Sequence, residues 1–576
     1  MIGGERDEKG SQQWLPRVAV VGAAALLAAG LAACGGGHHS SVSAQAWPGA
    51  VTTGSPQVPG DPAAPADTAV YTQRGSNSRV GWNYHETTLN THDVTPSGFG
   101  RVASFPVKGK IYSQPLYAPG LRVGGVTRNV VIVTTEDDQV YAFDADATGS
   151  QPALLWHTNF LVHGATAVDD ARTLHCGDYI LPTVGITGTP VIDPATGRMY
   201  LITVMSEGSR VVDAMHAISI TTGHDVIKPV VLRASVPGRG MGSSHGRVPF
   251  DPLTADQHAG LLLDNGVVYA AFSGYCDRPP NHGWILGYLA SDLHQAVAYN
   301  DTPDGASGGI WQAATALVAD SSGTMFVTTS NGPFNLATGG TSASDSLLEL
   351  RRSGSTLKVV DYFTPYYQKC MEDEDGDFSS SAALLVGNNE IISTNKTGAL
   401  YVLDRSHLGG YHTIPHLNCL HLTDPSADHI IQETPQGTIN GGVWGMQTYF
   451  TATTGQYLYT AGVASRIQAW RLANGKIVLP ATAHSPERLS YPGSIPVGSS
   501  DGASPGTAIV WALTKTSHPT LRAFTATDLS HELWNSDEGA AANQVPSCDN
   551  FILPTIANGR VYLGTSGELL VYGLLH

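Results

Sequence analysis

Charge is scarce in this sequence, and positive charge is scarcest. Of 576 residues 14% are Asp, Glu, Lys or Arg, and 48 acidic side chains outnumber 31 basic ones, for a formal net charge of −17. So acidic a chain repels phosphate backbones and anionic headgroups, which argues against nucleic acid as a partner and against attachment to a membrane by a basic patch. Long apolar runs are as rare. One uninterrupted Ala-rich stretch, Val18 to Ala33, is too short to span a bilayer comfortably. Cysteines number six, no two of them adjacent, and no Cys-x-x-Cys-His occurs, so no haem is attached in the chain. Neither a His-Glu-x-x-His helix nor a Walker loop is present, which leaves zinc-protease and nucleotide readings without a motif.

What the sequence does hold begins at the amino terminus. Arg17 precedes the apolar run, which ends in Leu31-Ala32-Ala33-Cys34 followed by Gly35-Gly36-Gly37. Small residues ahead of a single cysteine resemble the bacterial lipobox, which implies cleavage before Cys34 and acylation of its thiol. Several acyl chains anchor a protein stably, so the membrane enters as a partner through lipid. Gly35 stands where an Asp would resemble an inner-membrane retention signal, and the expectation is export to the cell envelope, at the outer membrane. Residues 35–78 are rich in Gly, Ser, Pro and Ala with almost no apolar periodicity, and read as a disordered tether.

From residue 79 to 576 the chain reads as one domain, an all-β, eight-bladed propeller of four-stranded antiparallel blades. Its 65 glycines and 34 prolines suit many short strands and turns. Second strands of successive units read Val130-Val131-Ile132-Val133, Met199-Tyr200-Leu201-Ile202, Val267-Val268-Tyr269-Ala270, Met325-Phe326-Val327-Thr328, Glu390-Ile391-Ile392-Ser393, Tyr457-Leu458-Tyr459-Thr460, Thr507-Ala508-Ile509-Val510 and Val561-Tyr562-Leu563-Gly564. A third strand follows each, and turns such as Asn265-Gly266 and Asn558-Gly559 punctuate the hairpins. Sheets apolar on both faces must stack on neighbours, as propeller blades do. The last unit runs out after three strands, and Val102-Ala103-Ser104-Phe105-Pro106-Val107 at the other end can supply the fourth and close the ring.

Gln139-Val140-Tyr141-Ala142-Phe143-Asp144-Ala145 and Gly398-Ala399-Leu400-Tyr401-Val402-Leu403-Asp404 are similar to the repeat shared by pyrroloquinoline-quinone enzymes and outer-membrane assembly scaffolds. Trp82-Asn83-Tyr84-His85 with Phe99-Gly100-Arg101-Val102 resembles the start of quinoprotein dehydrogenase propellers. For a dehydrogenase the resemblance implies a quinone in the central funnel, a calcium ion polarising it, a carboxylate base, and two adjacent cysteines beneath the quinone. The cysteine pair is missing, which argues against pyrroloquinoline quinone as a cofactor. The expectation is a monomeric binding or scaffold propeller for a protein, small-molecule or glycan ligand; a quinone-dependent oxidoreductase and a carbohydrate-binding or carbohydrate-active propeller are the alternatives.

Candidate ligand residues lie where each innermost strand begins. That rule gathers Gln114, Thr187, His258, Trp311, Gln312, Trp444 and Ser504 at one rim. Gly308-Gly309-Ile310-Trp311 and Gly441-Gly442-Val443-Trp444 repeat one pattern in two blades: glycines permit close approach and an indole offers a flat face with one donor. Packing between blades is the other reading of these tryptophans. His282 and Trp284, in a loop of the third unit, form a second candidate, against the reading of a satisfied loop histidine. Asp373, Asp375 and Asp377 alternate around a glycine as in calcium loops, making calcium the one metal the sequence suggests, against a solvated acidic loop. Of the remaining cysteines, Cys176 with Cys276 and Cys370 with Cys419 are the preferred disulfides, leaving Cys548 free.

Overall fold

The strands named above are apolar on both sides because each is sandwiched. In the first blade, Val130 and Ile132 pack with Met199 and Leu201 of the second, while Val131 and Val133 pack with Tyr562 and Val571 of the last. Alternate residues of one strand thus serve two different inter-blade cores, as the period of two along a strand requires. The computed structural model describes residues 68–575 apart from 150–152, 163, 177–179, 313, 388, 420–421, 423–426 and 516–517. Cys34, the apolar run and residues 35–67 lie outside the described residues.

Eight antiparallel sheets form the ring of an eight-bladed β-propeller. In chain order, blades 1 to 7 occupy residues 116–159, 166–231, 255–300, 318–364, 384–433, 448–484 and 497–535. Blade 8 combines Thr555–Ala557, Arg560–Gly564 and Glu568–Leu574 with Phe99–Pro106 as its outermost strand. Phe99 faces Leu574 and Pro106 faces Glu568 in an antiparallel ladder, the closure that the strand deficit foretold. In blade 7 the second strand runs Ile509–Lys515, two residues later than its apolar pattern suggested, because Thr507 is held in the preceding turn by Ser504. The two preferred disulfides form, with Cα–Cα distances of 5.9 Å for Cys176–Cys276 and 5.5 Å for Cys370–Cys419, and Cys548 carries a free thiol.

The folded body starts earlier than composition indicated. Thr68, Val70, Gln73 and Arg74 are buried, although they fall in the stretch read as tether. Their apolar content is too low to betray a core, since what they bury is backbone and guanidinium. Val70 bridges Tyr117 on the innermost strand of blade 1, and Trp82–Asn83 lies alongside the innermost strand of blade 7.

Candidate functional site

A propeller's innermost strands all start at one face, so eight incoming connections meet around the axis there. We call this face the mouth and the opposite one the far face. Tyr112 and Gln114 arrive ahead of blade 1, Thr187 of blade 2, His258 of blade 3, Trp311 of blade 4, Asp377 and Ser379 of blade 5, Trp444 of blade 6, Tyr491 of blade 7 and Phe551 of blade 8.

His258 is their hub. Its ring lies 5.4 Å from Tyr112, 5.7 Å from Phe551 and 6.4 Å from Trp311, each edge-on. The chain of rings continues from Phe551 to Tyr491 at 6.4 Å and from Tyr491 to Trp444 at 5.9 Å. Trp311 and Trp444 are half-buried and Tyr491 is 52% exposed, so the wall of aromatic faces is reached from outside while the His258 floor is not. Burial pulls the His258 imidazole down to about 4, so it is neutral at physiological pH. A cavity of about 20 Å³ opens between Trp444, Lys515, Asp549 and Phe551.

The glycines ahead of Trp444 are there for space. A Cβ on Gly442 would stand 2.0 Å from the Lys396 carbonyl oxygen, and its φ is +77°. Their absence of side chain lets Lys396 approach Trp444, with Nζ 5.9 Å from the ring centroid. Burial alone would lower the Lys396 ammonium, but Asp377 at 2.5 Å and Asp375 at 2.9 Å carry it above its ordinary range. Nearby, burial and then Asp377 raise the Asp277 carboxyl to about 7, with Lys396 opposing. Glu136 is pushed up to about 8 by burial, against hydrogen bonds donated by Gly185 N–H and the Thr187 hydroxyl. The backbone is strained here: Cys276, Asp277, Gln312, Ala314, Asp375 and Phe551 all hold positive φ.

The sequence candidates divide accordingly. Thr187, His258, Trp311 and Trp444 come together at the mouth. Gln114 lies below it, buried, accepting the Arg74 N–H at 2.7 Å. Gln312 is wholly buried and bonds Thr328. Ser504 belongs to the turn between the first two strands of blade 7, hence to the far face. His282 is a satisfied loop histidine, its ring nitrogens 3.0 Å from Thr302 Oγ1 and 2.9 Å from the Met241 carbonyl, and Trp284 is packed against Phe250. The acidic loop is not arranged as a calcium loop: Asp373 pairs with Lys369 along the helix Gln368–Glu374, while Asp375 and Asp377 converge on Lys396. Among the described residues no three His, Cys, Asp or Glu side chains gather as a metal site.

Sequence reasoning missed Tyr112, Tyr491, Phe551, Glu136 and Lys396. Position alone could have found the first three, which precede innermost strands; Glu136 and Lys396 lie in loops joining second to third strands, and no motif marks them. It also excludes a hydrolase for want of a Gly-x-Ser-x-Gly elbow, although that spacing occurs three times, around Ser244, Ser500 and Ser504. All three serines stand in turns between strands or beside them, none leading into a helix, so no nucleophile elbow is built. A wider concavity, about 520 Å³, lies on blade 2 between Phe160, Met205 and His216, with His216 tied to Asp225 at 3.1 Å.

No protein-family model matches the chain, and no curated protein matches it. Solved structures do resemble it. A quinohemoprotein alcohol dehydrogenase from Pseudomonas putida HK5 superposes with a TM-score of 0.57 at 12% identity, over 88% of this chain and 80% of that one. A europium-containing methanol dehydrogenase superposes with a TM-score of 0.52 at 12% identity, over 88% of this chain and 98% of that one. The likeness is one of fold, an eight-bladed propeller. The lysines around the mouth are paired, Lys396 with Asp375 and Asp377, Lys110 with Asp549 at 2.7 Å, and Lys515 with the Cys548 carbonyl and Asn550, while Arg278 and Arg466 donate to backbone carbonyls. No adjacent cysteines stand beneath the mouth, and the two disulfides join cysteines 100 and 49 residues apart.

Proposed function

We propose that this chain is an exported binding propeller, anchored through Cys34, whose mouth takes a neutral ring-shaped ligand, a saccharide ring being the class that fits. One observation carries the reading. Aromatic faces from Trp311, Trp444, Tyr491 and Phe551 converge at a mouth whose lysines are already paired, which favours stacking of an uncharged ring over capture of an anion. Indole and phenol faces take the C–H side of a sugar, while Asn550 lines the cavity beside Trp444, within reach of a hydroxyl. The backbone strain collected around the mouth supports a binding role for this face over a purely packed one.

Titration of the purified protein with neutral oligosaccharides, followed by tryptophan fluorescence and calorimetry, tests this. Saturable binding that is weakened in both Trp311→Ala and Trp444→Ala supports the reading. Dye reduction in the presence of calcium, pyrroloquinoline quinone and an alcohol would replace it with the oxidoreductase. Stoichiometric capture of an envelope protein, with no saccharide response, would replace it with the scaffold. The anchor is tested separately: Cys34→Ser abolishes fatty-acid labelling and releases the chain from membranes, and unchanged labelling would remove the lipid from the proposal.

A further inference from the structure

The innermost strand of a propeller blade leaves one edge of N–H and C=O groups facing the axis, and in this molecule most of those edges meet another segment of the chain. Residues 68–85 enter the channel and pair with them. Val70 exchanges backbone hydrogen bonds with Tyr117 of blade 1; the Tyr71 carbonyl accepts from Ile192 N–H of blade 2; the Asn77 carbonyl accepts from Ala319 N–H of blade 4. On the return, the Val80 carbonyl accepts from Tyr449 N–H of blade 6 and the Gly81 carbonyl from Gly498 N–H of blade 7, while the Asn83 amide donates to the Ile556 carbonyl of blade 8. The segment runs antiparallel to blade 1 going in and parallel to blade 7 coming out. It is a finger inserted from the far face, with its tip, Gln73 to Ser78, pointing at the mouth.

Two arginines pin the tip, and neither meets a carboxylate. Arg79 is wholly buried and donates to the carbonyls of Gln73, Leu261 and Leu317 and to the Thr72 hydroxyl. Arg74 donates to the carbonyls of Arg79, Gln447 and Pro496 and to the Thr448 hydroxyl. Guanidinium's fixed fork of five donors suits a ring of converging carbonyls, which an ammonium could not span. The tip also touches what lies directly beneath the mouth. Arg74 N–H bonds Gln114, two residues from Tyr112, and Gln73 lies so close to Gly260, two residues from His258, that a Cβ there would stand 2.3 Å from Gln73 Oε1.

We infer that residues 68–85 are a plug that makes the channel a blind funnel with one mouth, and that Gln73 and Arg74 are positioning residues for its floor at His258 and Tyr112. This inference uses no ligand and stands apart from the saccharide reading. In the full-length protein, hydrogen exchange at Val70 and Arg74 is as slow as in the central strands of the blades. Arg74→Met keeps the blade strands protected, raises exchange across 68–85 by about 100-fold or more, and moves the His258 titration, followed by NMR, upward from about 4 as water reaches it from below. Free-peptide exchange rates at 68–85 in the wild type, or an unmoved His258 midpoint in a folded Arg74→Met protein, would overturn the inference. Should Arg74→Met fail to fold, Gly260→Ala presses on the tip from blade 3. It is expected to raise exchange across 68–85 and to shift the His258 midpoint while the blade strands stay protected. Exchange and midpoint both unchanged in a folded Gly260→Ala protein count against the plug.

Discussion

The channel and its mouth are closed by opposite chemistry. Inside the channel, beneath the mouth, the finger brings Arg74 and Arg79, fully desolvated cations whose donors are matched by backbone carbonyls and threonine hydroxyls. At the mouth, closure is by rings around a neutral histidine, with carboxyls such as Glu136 held well above their ordinary range. The turns of the two faces differ as well. Far-face hairpins put Asn265, Asn474 and Asn558 at positive φ, a conformation asparagine adopts readily, with Leu293 the exception, whereas the mouth puts Gln312, Ala314 and Phe551 there. A closure whose polar groups are matched and whose turns are relaxed serves stability. One with strained turns and exposed aromatic faces has features that packing does not explain, and those are what a ligand would use.

The comparison is broken most severely by removing what both closures depend on. Deleting residues 99–106 takes the outermost strand from blade 8 and exposes its apolar face, and the expected outcome is loss of cooperative unfolding by calorimetry. Next in size is the finger. Arg79→Ala strands several buried carbonyls, and urea denaturation is expected to show a loss of roughly 3–5 kcal/mol. At the mouth, Trp311→Ala and Trp444→Ala are each expected to weaken ligand binding by about 1–3 kcal/mol while the ring stays folded. If both variants instead lose stability and keep affinity, the tryptophans are packing and the two closures are alike.

A smaller effect sharpens the electrostatic half of the contrast. Burial raises Asp138, Asp213, Asp301 and Asp345 well above their ordinary value and Glu136 to about 8. Below about pH 4 these groups are protonated folded or unfolded and contribute nothing. As pH rises from there the unfolded chain ionises first and the folded state holds more protons, so stability falls until about pH 8. The urea midpoint is expected to be higher at pH 5 than at pH 8.5, and Glu136→Gln is expected to flatten that slope. The smallest effect is expected from deleting 35–67, within about 0.5 kcal/mol of the parent, if that stretch is the tether its composition suggests.

The ring, its closing strand and both disulfides were legible because each leaves a pattern in the chain: apolar alternation, a strand missing at one end and spare at the other, cysteines in neighbouring units. The mouth was half legible. His258, Trp311 and Trp444 could be placed by the rule that innermost strands start at one face, but Lys396 and Glu136 come from other loops, and only the folded ring brings them in. The carboxylates at 373, 375 and 377 carried a metal-like spacing and met lysines instead, since spacing does not show which counter-charge the fold will deliver. The finger was illegible, because backbone edges and guanidinium cages have no apolar signature.

The order of the finger's contacts bears on how the molecule is made. Read from Val70 to Asn83, its backbone partners run Tyr117, Ile192, Ala319, Tyr449 and Gly498, with the Asn83 side chain on Ile556 last, in the same sequence in which the blades emerge during synthesis, while the arginine side chains cross that order. A finger made before any blade can serve as a spindle, on which each new sheet docks along the next few residues of a strand already waiting. Long-range contacts that would each demand a separate search across hundreds of residues become a winding process, every turn of which is short once the previous one is in place.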